Sequence, residues 1–170
     1  MNLELEKPGA GGVGLESSTD NDVFVIQDGE VLYLQGNKAE YFYIINRGKI
    51  GLFDKSKDRL FSKNSVGAGE FLCSNNLFSK KHLEYTAIAV ESTEIVRIKM
   101  SDMKAVINKC PEWVSDIMQT IWGRLEASLN VLDEHQIMDD RIKKKIKMTK
   151  EVENRYMESI ERFIGGRNQF

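Results

Sequence analysis

The stretch SVGAGEFLCSNNLF, residues 65–78, together with the segment EYTAIA, residues 84–89, decides the fold of this chain. The first stretch begins with strand-like residues and turns at Gly67-Ala68-Gly69, and the second has the composition of a returning strand. A turn, a short connecting segment and a returning strand form a compact wall. Because backbone N–H groups in such a wall can bind an anion, we expect a ligand pocket here.

Short strand-like runs separated by turn residues continue on both sides of this stretch. The runs are residues 23–27, 30–35, 41–45, 49–53, 87–90 and 94–99. Turn residues at 28–29, 36–37, 46–48 and 91–93 separate them, and 46–48 and 91–93 are predicted to be hairpin turns, as is the polar tip at 55–58. Such regular spacing predicts an antiparallel β-roll or jelly roll. We expect its core to contain Phe24, Ile26, Leu32, Tyr43, Ile45, Ile50, Leu52, Phe71, Ile88, Ile95 and Ile98.

The order of these segments resembles that of the cyclic nucleotide-binding domain family. The family's phosphate-binding cassette reads Gly-x-Gly-Asp-x-x-Gly-Glu-Leu-Ala-Leu and ends, after a short loop, in Arg-x-Ala-Thr-Val-x-Ala. Its opening is matched by Gly67, Gly69, Glu70 and Phe71, and its end by Thr86 and Ala89. Residues 28–36 and 43–50 are similar to the family's upstream segments. The resemblance implies a mainly β fold with α-helices, in which a β-roll is followed by long C-terminal helices.

Two pocket positions depart from the family pattern. The glutamate that holds the ribose 2′-hydroxyl falls on Ser74, and the arginine that pairs with the cyclic phosphate falls on Leu83. Leucine cannot replace the arginine's charge-assisted hydrogen bonds, and losing such a partner in a buried site costs about 2–5 kcal/mol. We therefore expect no cofactor, and no cyclic nucleotide in the usual pose.

The family resemblance also indicates which residues surround the altered pocket. The resemblance places Gly69, Cys73, Ser74, Asn75, Leu83, Tyr85 and Thr86 around it, with Lys80, Lys81 and His82 as possible replacements for the missing charge. If the protein's own side chains fill the pocket, Leu83 and Tyr85 are the expected plugs. If they do not, Ser74, Asn75 and Thr86 could hold a different polar ligand.

Beyond residue 100 the pattern becomes helical. Ser101 is expected to cap one helix, and Pro111 to begin a second. The second helix carries one apolar stripe with spacings of three and four, formed by Val114, Ile117, Met118, Ile121, Leu125, Leu129 and Leu132. In the family this helix packs on the roll and, in bacterial regulators, forms the dimer seam. The resemblance thus implies a homodimer interface that contains Ile117, Ile121, Trp122, Leu125, Leu129 and Leu132.

The chain is expected to have three parts. Residues 1–21 are rich in Gly and polar residues and are predicted to be a flexible tail, and residues 22–132 would form the roll with its helix. Residues 133–170 are highly charged, include a basic run over 141–150, and keep a spaced apolar set up to Gly165-Gly166, which should stop the helix. They are predicted to form a charged amphipathic extension that lies on a partner or coils with a copy of itself.

Composition limits the function classes. The formal net charge of −2 provides no general attraction to nucleic acid or to anionic membranes. The two cysteines, Cys73 and Cys110, suggest neither a zinc site nor a disulfide framework, and His82 and His135 belong to no recognisable catalytic arrangement. Because the sequence shows no secretory signal and no membrane-spanning apolar run, we expect a cytoplasmic protein with no catalytic and no metal site.

These observations lead to three functional hypotheses. The first is a non-catalytic regulatory or assembly module that acts through protein–protein contacts of its C-terminal helices. The second is a small-ligand sensor with a non-standard pocket. Nucleic-acid binding through residues 141–150 ranks third, because the run lies beside acidic residues and contains no aromatic side chains.

Overall fold

The computed structural model describes residues 22–72, 82–134 and 145–167. Within these ranges, eight strands form two four-stranded antiparallel sheets and three α-helices follow them. The strands are β1 (Asp22–Ile26), β2 (Val31–Tyr33), β3 (Tyr41–Arg47), β4 (Lys49–Ser56), β5 (Arg59–Gly67), β6 (Phe71–Leu72), β7 (Thr86–Ala89) and β8 (Thr93–Lys99). The helices are α1 (Met100–Lys109), α2 (Glu112–Glu134) and α3 (Lys150–Arg167). The predicted mainly β roll with C-terminal helices is confirmed.

The two sheets exchange strands along the chain. Sheet A has the order β1-β8-β3-β6, and sheet B has the order β2-β7-β4-β5. Strands β4 and β5 form the predicted hairpin, at whose tip Lys57 has a positive φ of 52°. The hairpins predicted at residues 46–48 and 91–93 are wrong, because β3 and β8 belong to sheet A whereas β4 and β7 belong to sheet B. At both places the chain crosses between the sheets.

Gly48 lies where these two crossings meet. Its φ is +90°, and a Cβ atom there would lie 2.6 Å from both the Ser92 carbonyl oxygen and the Thr93 Oγ1. Thr93 itself is buried and its hydroxyl donates a hydrogen bond to the Lys49 carbonyl oxygen over 3.1 Å. Because any side chain would collide with backbone, only glycine fits this crossing.

The roll's inner core lies between the two sheets. It consists of Ile26, Tyr33, Tyr43, Ile45, Ile50, Val66, Leu72, Leu83, Ala87, Ala89 and Ile95. The predicted core residues Ile45, Ile50 and Ile95 are fully buried here. Phe71 was expected to be buried and is 54% exposed. It pairs in register with Ile44, so it lies on the outer face of sheet A, where it stacks on Phe42 with ring centroids 5.6 Å apart.

Helix α3 covers the outer face of sheet B. Tyr156 and Ile160 are buried against an apolar cluster from that sheet, and the rings of Tyr156 and Phe53 are 5.5 Å apart. The sheet contributes Val31, Phe53, Leu60 and Ile88 to the cluster. The C-terminal extension, predicted to lie on a partner or on its own copy, therefore packs on the roll of its own chain. Helix α3 also continues through Gly165-Gly166, which were predicted to stop it.

Polar contacts fix the position of α3 on the roll. Glu153 Oε1 accepts hydrogen bonds from the Leu60 N–H over 3.0 Å and from Arg59 Nε over 2.9 Å. The guanidinium of Arg155 binds both carboxylate oxygens of Asp28, at 3.0 and 3.1 Å. Because charge-assisted bonds of this kind are directional, they select one register for the apolar contact.

The segment before α3 is also attached to sheet B. The Ile146 N–H donates to Ser62 Oγ over 2.8 Å. A Cβ atom built on Gly51 of β4 would lie 2.5 Å from Ile146 Cδ1 and 2.5 Å from a Phe53 ring carbon. The missing side chain of Gly51 thus makes room for Ile146.

Helices α1 and α2 follow the roll directly. Ser101 lies inside α1, where its hydroxyl donates to Asp102 Oδ1 over 3.1 Å, so the prediction that it caps the helix is wrong. Lys99 occupies the cap position without a side-chain hydrogen bond. Pro111 immediately precedes α2, and its carbonyl oxygen accepts the Val114 N–H over 2.9 Å. The proline fits here because this position needs no N–H donor.

Candidate functional site

The turn at residues 67–70 is closed on the protein itself. The Glu70 N–H donates to the Gly67 carbonyl oxygen over 3.0 Å, and Glu70 Oε2 accepts the Gly67 N–H over 2.7 Å. Gly69 has a φ of +80°, and its N–H donates to the Ile45 carbonyl oxygen over 2.8 Å. The amides of Gly67, Gly69 and Glu70 all have protein acceptors. They therefore do not form the anion-binding set that the sequence suggested for this turn.

Residues 73–81 lie outside the described part of the chain. The pocket positions predicted there are Cys73, Ser74, Asn75, Lys80 and Lys81. Their roles stay predictions.

Leu83 occupies the position at which the family pattern has arginine, and it is part of the inner core. Its side chain is 7% exposed and belongs to the cluster that contains Tyr33, Tyr43 and Leu72. The backbone is fixed by two hydrogen bonds of 2.8 Å, from the Leu83 N–H to the Asn37 carbonyl oxygen and from the Gly36 N–H to the Leu83 carbonyl oxygen. Burying a leucine side chain contributes about 1.5–3 kcal/mol. Leu83 is therefore a core residue of the roll.

The neighbouring predicted residues lie apart from Leu83. Thr86 is buried, and its hydroxyl accepts the Gln35 N–H over 3.1 Å. Because Ala87 belongs to the inner core and side chains alternate along a strand, Thr86 lies on the opposite face of β7 from Ala87, away from the roll's interior. Tyr85 is half-buried, whereas His82 is exposed and its backbone forms a β-bridge with Lys38.

An open hollow of about 550 Å³ adjoins Leu83 at one end of the roll. Its lining includes Tyr33, Lys38, Tyr41, Tyr43 and Arg97. The Arg97 guanidinium lies 4.7 Å from the centre of the Tyr41 ring and contacts Asp22 Oδ2 at 2.6 Å. The hydrogen bond with Asp22 raises the pKa of Arg97 above its ordinary value.

Sequence reasoning did not select Arg97. Its signal lies in the strand register, because Arg97 of β8 pairs with Tyr43 of β3 and so shares the inward face with that core residue. A charged residue in phase with the buried residues of a strand marks a polar site within an apolar sheet face.

Helix α2 presents an exposed apolar stripe. The stripe contains Trp113, Ile117, Ile121 and Leu125, which are 64%, 49%, 62% and 47% exposed. These residues are four positions apart, so they follow one side of the helix. Trp122 and Leu132, which were also predicted to form an interface, are half-buried, and the side chain of Leu129 lies outside the described residues. Trp113 was missed, although it continues the spacing of four from Ile117.

The described residues contain neither a metal-binding cluster nor a membrane-spanning helix. Among residues 22–72, 82–134 and 145–167, no three His, Cys, Asp or Glu side chains come together in a way that could hold a metal ion. The three helices in these same ranges are also too short or too polar to cross a bilayer.

Comparison with known proteins gives the following matches. The family model for the cyclic nucleotide-binding domain matches residues 23–110. A lysophospholipase of Cryptococcus neoformans is 28% identical over 101 residues, which cover 59% of this chain but only 6% of the lysophospholipase. The chain therefore corresponds to a small part of that enzyme.

Solved structures of bacterial regulators share the fold. A transcriptional regulator from Thermotoga maritima has a TM-score of 0.56 at 16% identity, with 69% of this chain and 93% of the regulator covered. The catabolite activator protein of Thermus thermophilus has a TM-score of 0.54 at 22% identity, with 68% of this chain and 55% of that protein covered. At these identities the likeness concerns the fold alone.

Proposed function

The chain belongs to the cyclic nucleotide-binding domain family, and we propose that it is a non-catalytic, cytoplasmic regulatory module that assembles through protein–protein contacts and has no cofactor. A cyclic nucleotide-binding fold supports a regulatory or sensor role. The proposal that the pocket binds no cyclic nucleotide rests on one observation, the burial of Leu83 in the inner core at the position of the family's arginine.

Electrostatics disfavours a cyclic nucleotide in this pocket. A cyclic phosphate placed in the usual pose would lose its water against Leu83, which offers no donor. Leaving a buried charge without its partner costs about 2–5 kcal/mol, and every 1.4 kcal/mol weakens binding roughly tenfold. The apolar neighbours Tyr33, Tyr43 and Leu72 stabilise Leu83 in this position, so the pocket is closed from within at this point.

Isothermal titration calorimetry with cyclic AMP and cyclic GMP tests the pocket. We expect no binding at micromolar ligand. The Leu83→Arg variant, checked for folding by circular dichroism, should gain affinity if the missing guanidinium is the cause, and Leu83→Met, which keeps the apolar plug, should not. Micromolar binding by the unmodified protein would refute the proposal.

The proposed partner is a second copy of this chain, which docks through the α2 stripe. Four large apolar side chains in line form a patch of the kind that marks an interface, and the same patch on two copies can pair around a two-fold axis. Aromatic anchors such as Trp113 contribute most of the energy in contacts of this type. Helix α3 is occupied by its own roll, so among the described helices α2, with its exposed stripe, is the one offered for assembly.

Sedimentation velocity tests the assembly. The unmodified protein should sediment as a dimer, and Ile121→Glu should weaken the dimer by about 30-fold, as expected for a central residue worth about 2 kcal/mol. Gln119→Glu makes the same charge change on the opposite side of α2 and should leave the dimer intact. Sedimentation of the unmodified protein as a monomer at high concentration would contradict the assembly.

A second candidate, a small-ligand sensor, is favoured by the hollow beside Leu83. Arg97 and Lys38 provide positive charge there beside one carboxylate, Glu40, and the half-buried Tyr41 provides an aromatic ring. Thermal-shift titration with cyclic and linear dinucleotides would detect such a ligand. If binding is found, Arg97→Gln should abolish it and Arg47→Gln should not.

A further inference from the structure

A second hollow, of about 540 Å³, lies between the roll and the C-terminal segment. It lies on the outer side of sheet B, whereas the family's pocket is inside the roll. Lys49 and Ser65 line it from the roll, Lys145 and Lys147 from the segment that precedes α3, and Arg155 from α3. Three separate parts of the chain thus contribute to one concave surface.

The charge of this hollow is opposite to that of the whole chain. Its lining contains three lysines, Lys49, Lys145 and Lys147, one carboxylate, Glu91, and Arg155, whose charge is paired with Asp28. The complete sequence has a formal net charge of −2. Within the described ranges, Lys49 and Lys147 form no side-chain ion pair. Like charges that are held together in a cleft focus the field and attract anions.

Ser65 and Arg155 complete the lining. Ser65 is only 6% exposed, and it is on the outward face of β5 because its neighbour Val66 belongs to the inner core. Arg155 is held in place by Asp28, with its two nitrogens at 3.0 and 3.1 Å from the carboxylate oxygens. Lysine ammonium groups bind phosphate as point charges, and the fixed guanidinium of Arg155 borders them on one side.

We propose that this hollow is a binding site for a small, multiply charged phosphate-bearing ligand. Its volume is within the range of about 300–1,000 Å³ that small-molecule sites occupy, so it can hold more than one phosphate group. The site gives a role to Lys145 and Lys147, two lysines of the basic run. It is independent of the α2 interface and of the Leu83 plug, so it extends the function proposed above.

Binding at this site would couple the ligand to the position of α3. Lys49 belongs to the roll, whereas Lys147 belongs to the C-terminal segment, so one anion between them links the two. A ligand that binds only the docked arrangement stabilises it, and the stabilisation grows with the logarithm of the ligand concentration once this exceeds the Kd. Amide hydrogen exchange in α3 should therefore become slower when the ligand is bound.

The test uses inorganic pyrophosphate, titrated into the full-length protein by calorimetry at constant ionic strength. We expect saturable binding, which the double variant Lys49→Gln/Lys147→Gln should weaken by about tenfold for each lysine that is removed. The double variant Lys104→Gln/Lys109→Gln makes the same change in net charge on α1 and should bind as the unmodified protein does. No heat with pyrophosphate, or an equal loss in the α1 control, would overturn the proposal.

A vesicle arm distinguishes a soluble ligand from a lipid headgroup. The protein is sedimented with phosphatidylcholine vesicles that contain or lack phosphatidylinositol bisphosphate. Co-sedimentation that requires the phosphoinositide and is lost in Lys49→Gln/Lys147→Gln identifies a headgroup, and pyrophosphate binding without co-sedimentation identifies a soluble ligand. Co-sedimentation that the double variant retains would place the phosphate site elsewhere and refute the assignment.

Discussion

Helices α2 and α3 carry similar apolar stripes, but only α3 buries its stripe in its own chain. Tyr156 and Ile160 of α3 are buried against sheet B, whereas Ile117 and Ile121 of α2 are about half exposed or more. The sequence pattern of the two helices is thus the same in kind, and their surroundings differ. An amphipathic pattern shows that a helix has an apolar face, but it does not show which surface covers that face.

The difference has a local cause in sheet B. Gly51 leaves space for Ile146, and the edge strand β5 offers the Leu60 N–H to Glu153. These features place the α3 segment on the sheet at one position. Polar contacts and a matching depression thus determine where α3 docks, and the apolar area provides the energy.

The largest effect should come from removing the same side chain in the two helices. Ile160→Ala, at a fully buried position, is expected to reduce the free energy of unfolding by about 2–5 kcal/mol. Ile121→Ala, on the exposed stripe, should change it by less than about 0.5 kcal/mol when measured at a protein concentration too low for association. Urea unfolding followed by circular dichroism gives both values. Equal losses in the two variants would show that α2 is as well packed as α3.

Two glycine-to-alanine substitutions should change the free energy of unfolding in opposite directions. Gly51→Ala adds a methyl group 2.5 Å from Ile146 Cδ1 and should destabilise the protein by about 1–3 kcal/mol. Gly123→Ala in α2 meets open space and should stabilise the helix by about 0.4–1 kcal/mol. Adding Ile146→Ala to Gly51→Ala should restore part of the loss, because the shorter side chain removes the collision with Ile146, although the one with the Phe53 ring stays. If the losses were simply additive, the contact between the two residues would be excluded.

Acid should weaken the attachment of α3. The hydrogen bond from the Leu60 N–H, with a further contribution from Arg59, lowers the pKa of Glu153 below its ordinary value. Since the folded pKa is the lower one, the stabilisation is complete above the unfolded value of about 4.3 and is lost as the pH falls through the folded value. Glu153→Gln should therefore lower the urea midpoint at pH 7 and reduce its decline in acid.

Glu151→Gln is the control for this pH dependence. It makes the same charge change in the first turn of α3, at an exposed position. Its acid decline should match that of the unmodified protein. An identical pH profile for Glu153→Gln would show that the carboxylate does not hold α3 through the Leu60 N–H.

The smallest effect should come from the ion pair between Arg155 and Asp28. Both side chains are nearly half exposed, and exposed pairs contribute about 0.2–1 kcal/mol. Arg155→Lys keeps the charge but removes the paired hydrogen bonds, so the urea midpoint should fall slightly and the difference should shrink at high salt. A loss as large as that of Ile160→Ala would mean that this ion pair, and not the apolar face, secures α3.

The roll could be predicted from the sequence because alternation and turn residues are local signals. Ile45, Ile50 and Ile95 are buried as their patterns predict. The pairing of strands was mispredicted at Gly48, because a turn signal shows that the chain changes direction but not which sheet the next strand joins. The assignment of Phe71 to the core was wrong, because a two-residue strand is too short to show which of its side chains faces inward.

The features of the candidate site could be predicted only where one residue or one local pattern indicates them. The absence of arginine at Leu83 is visible in the sequence, and so is the stripe on α2. The contact of Glu153 with Leu60 joins residues 93 positions apart, and no local pattern indicates it. The same is true of the basic hollow, because Lys49 is distant in the sequence from Lys145 and Lys147.

The long sequence separation between sheet B and helix α3, which covers it, has a consequence for synthesis on the ribosome. Arg59 and Glu153, which meet when α3 docks, are separated by 94 residues. At about 5–20 residues per second, the ribosome needs roughly 5–19 s to produce that interval. The nascent roll therefore displays Phe53, Leu60 and Ile88 to chaperones until α3 has been synthesised and can dock.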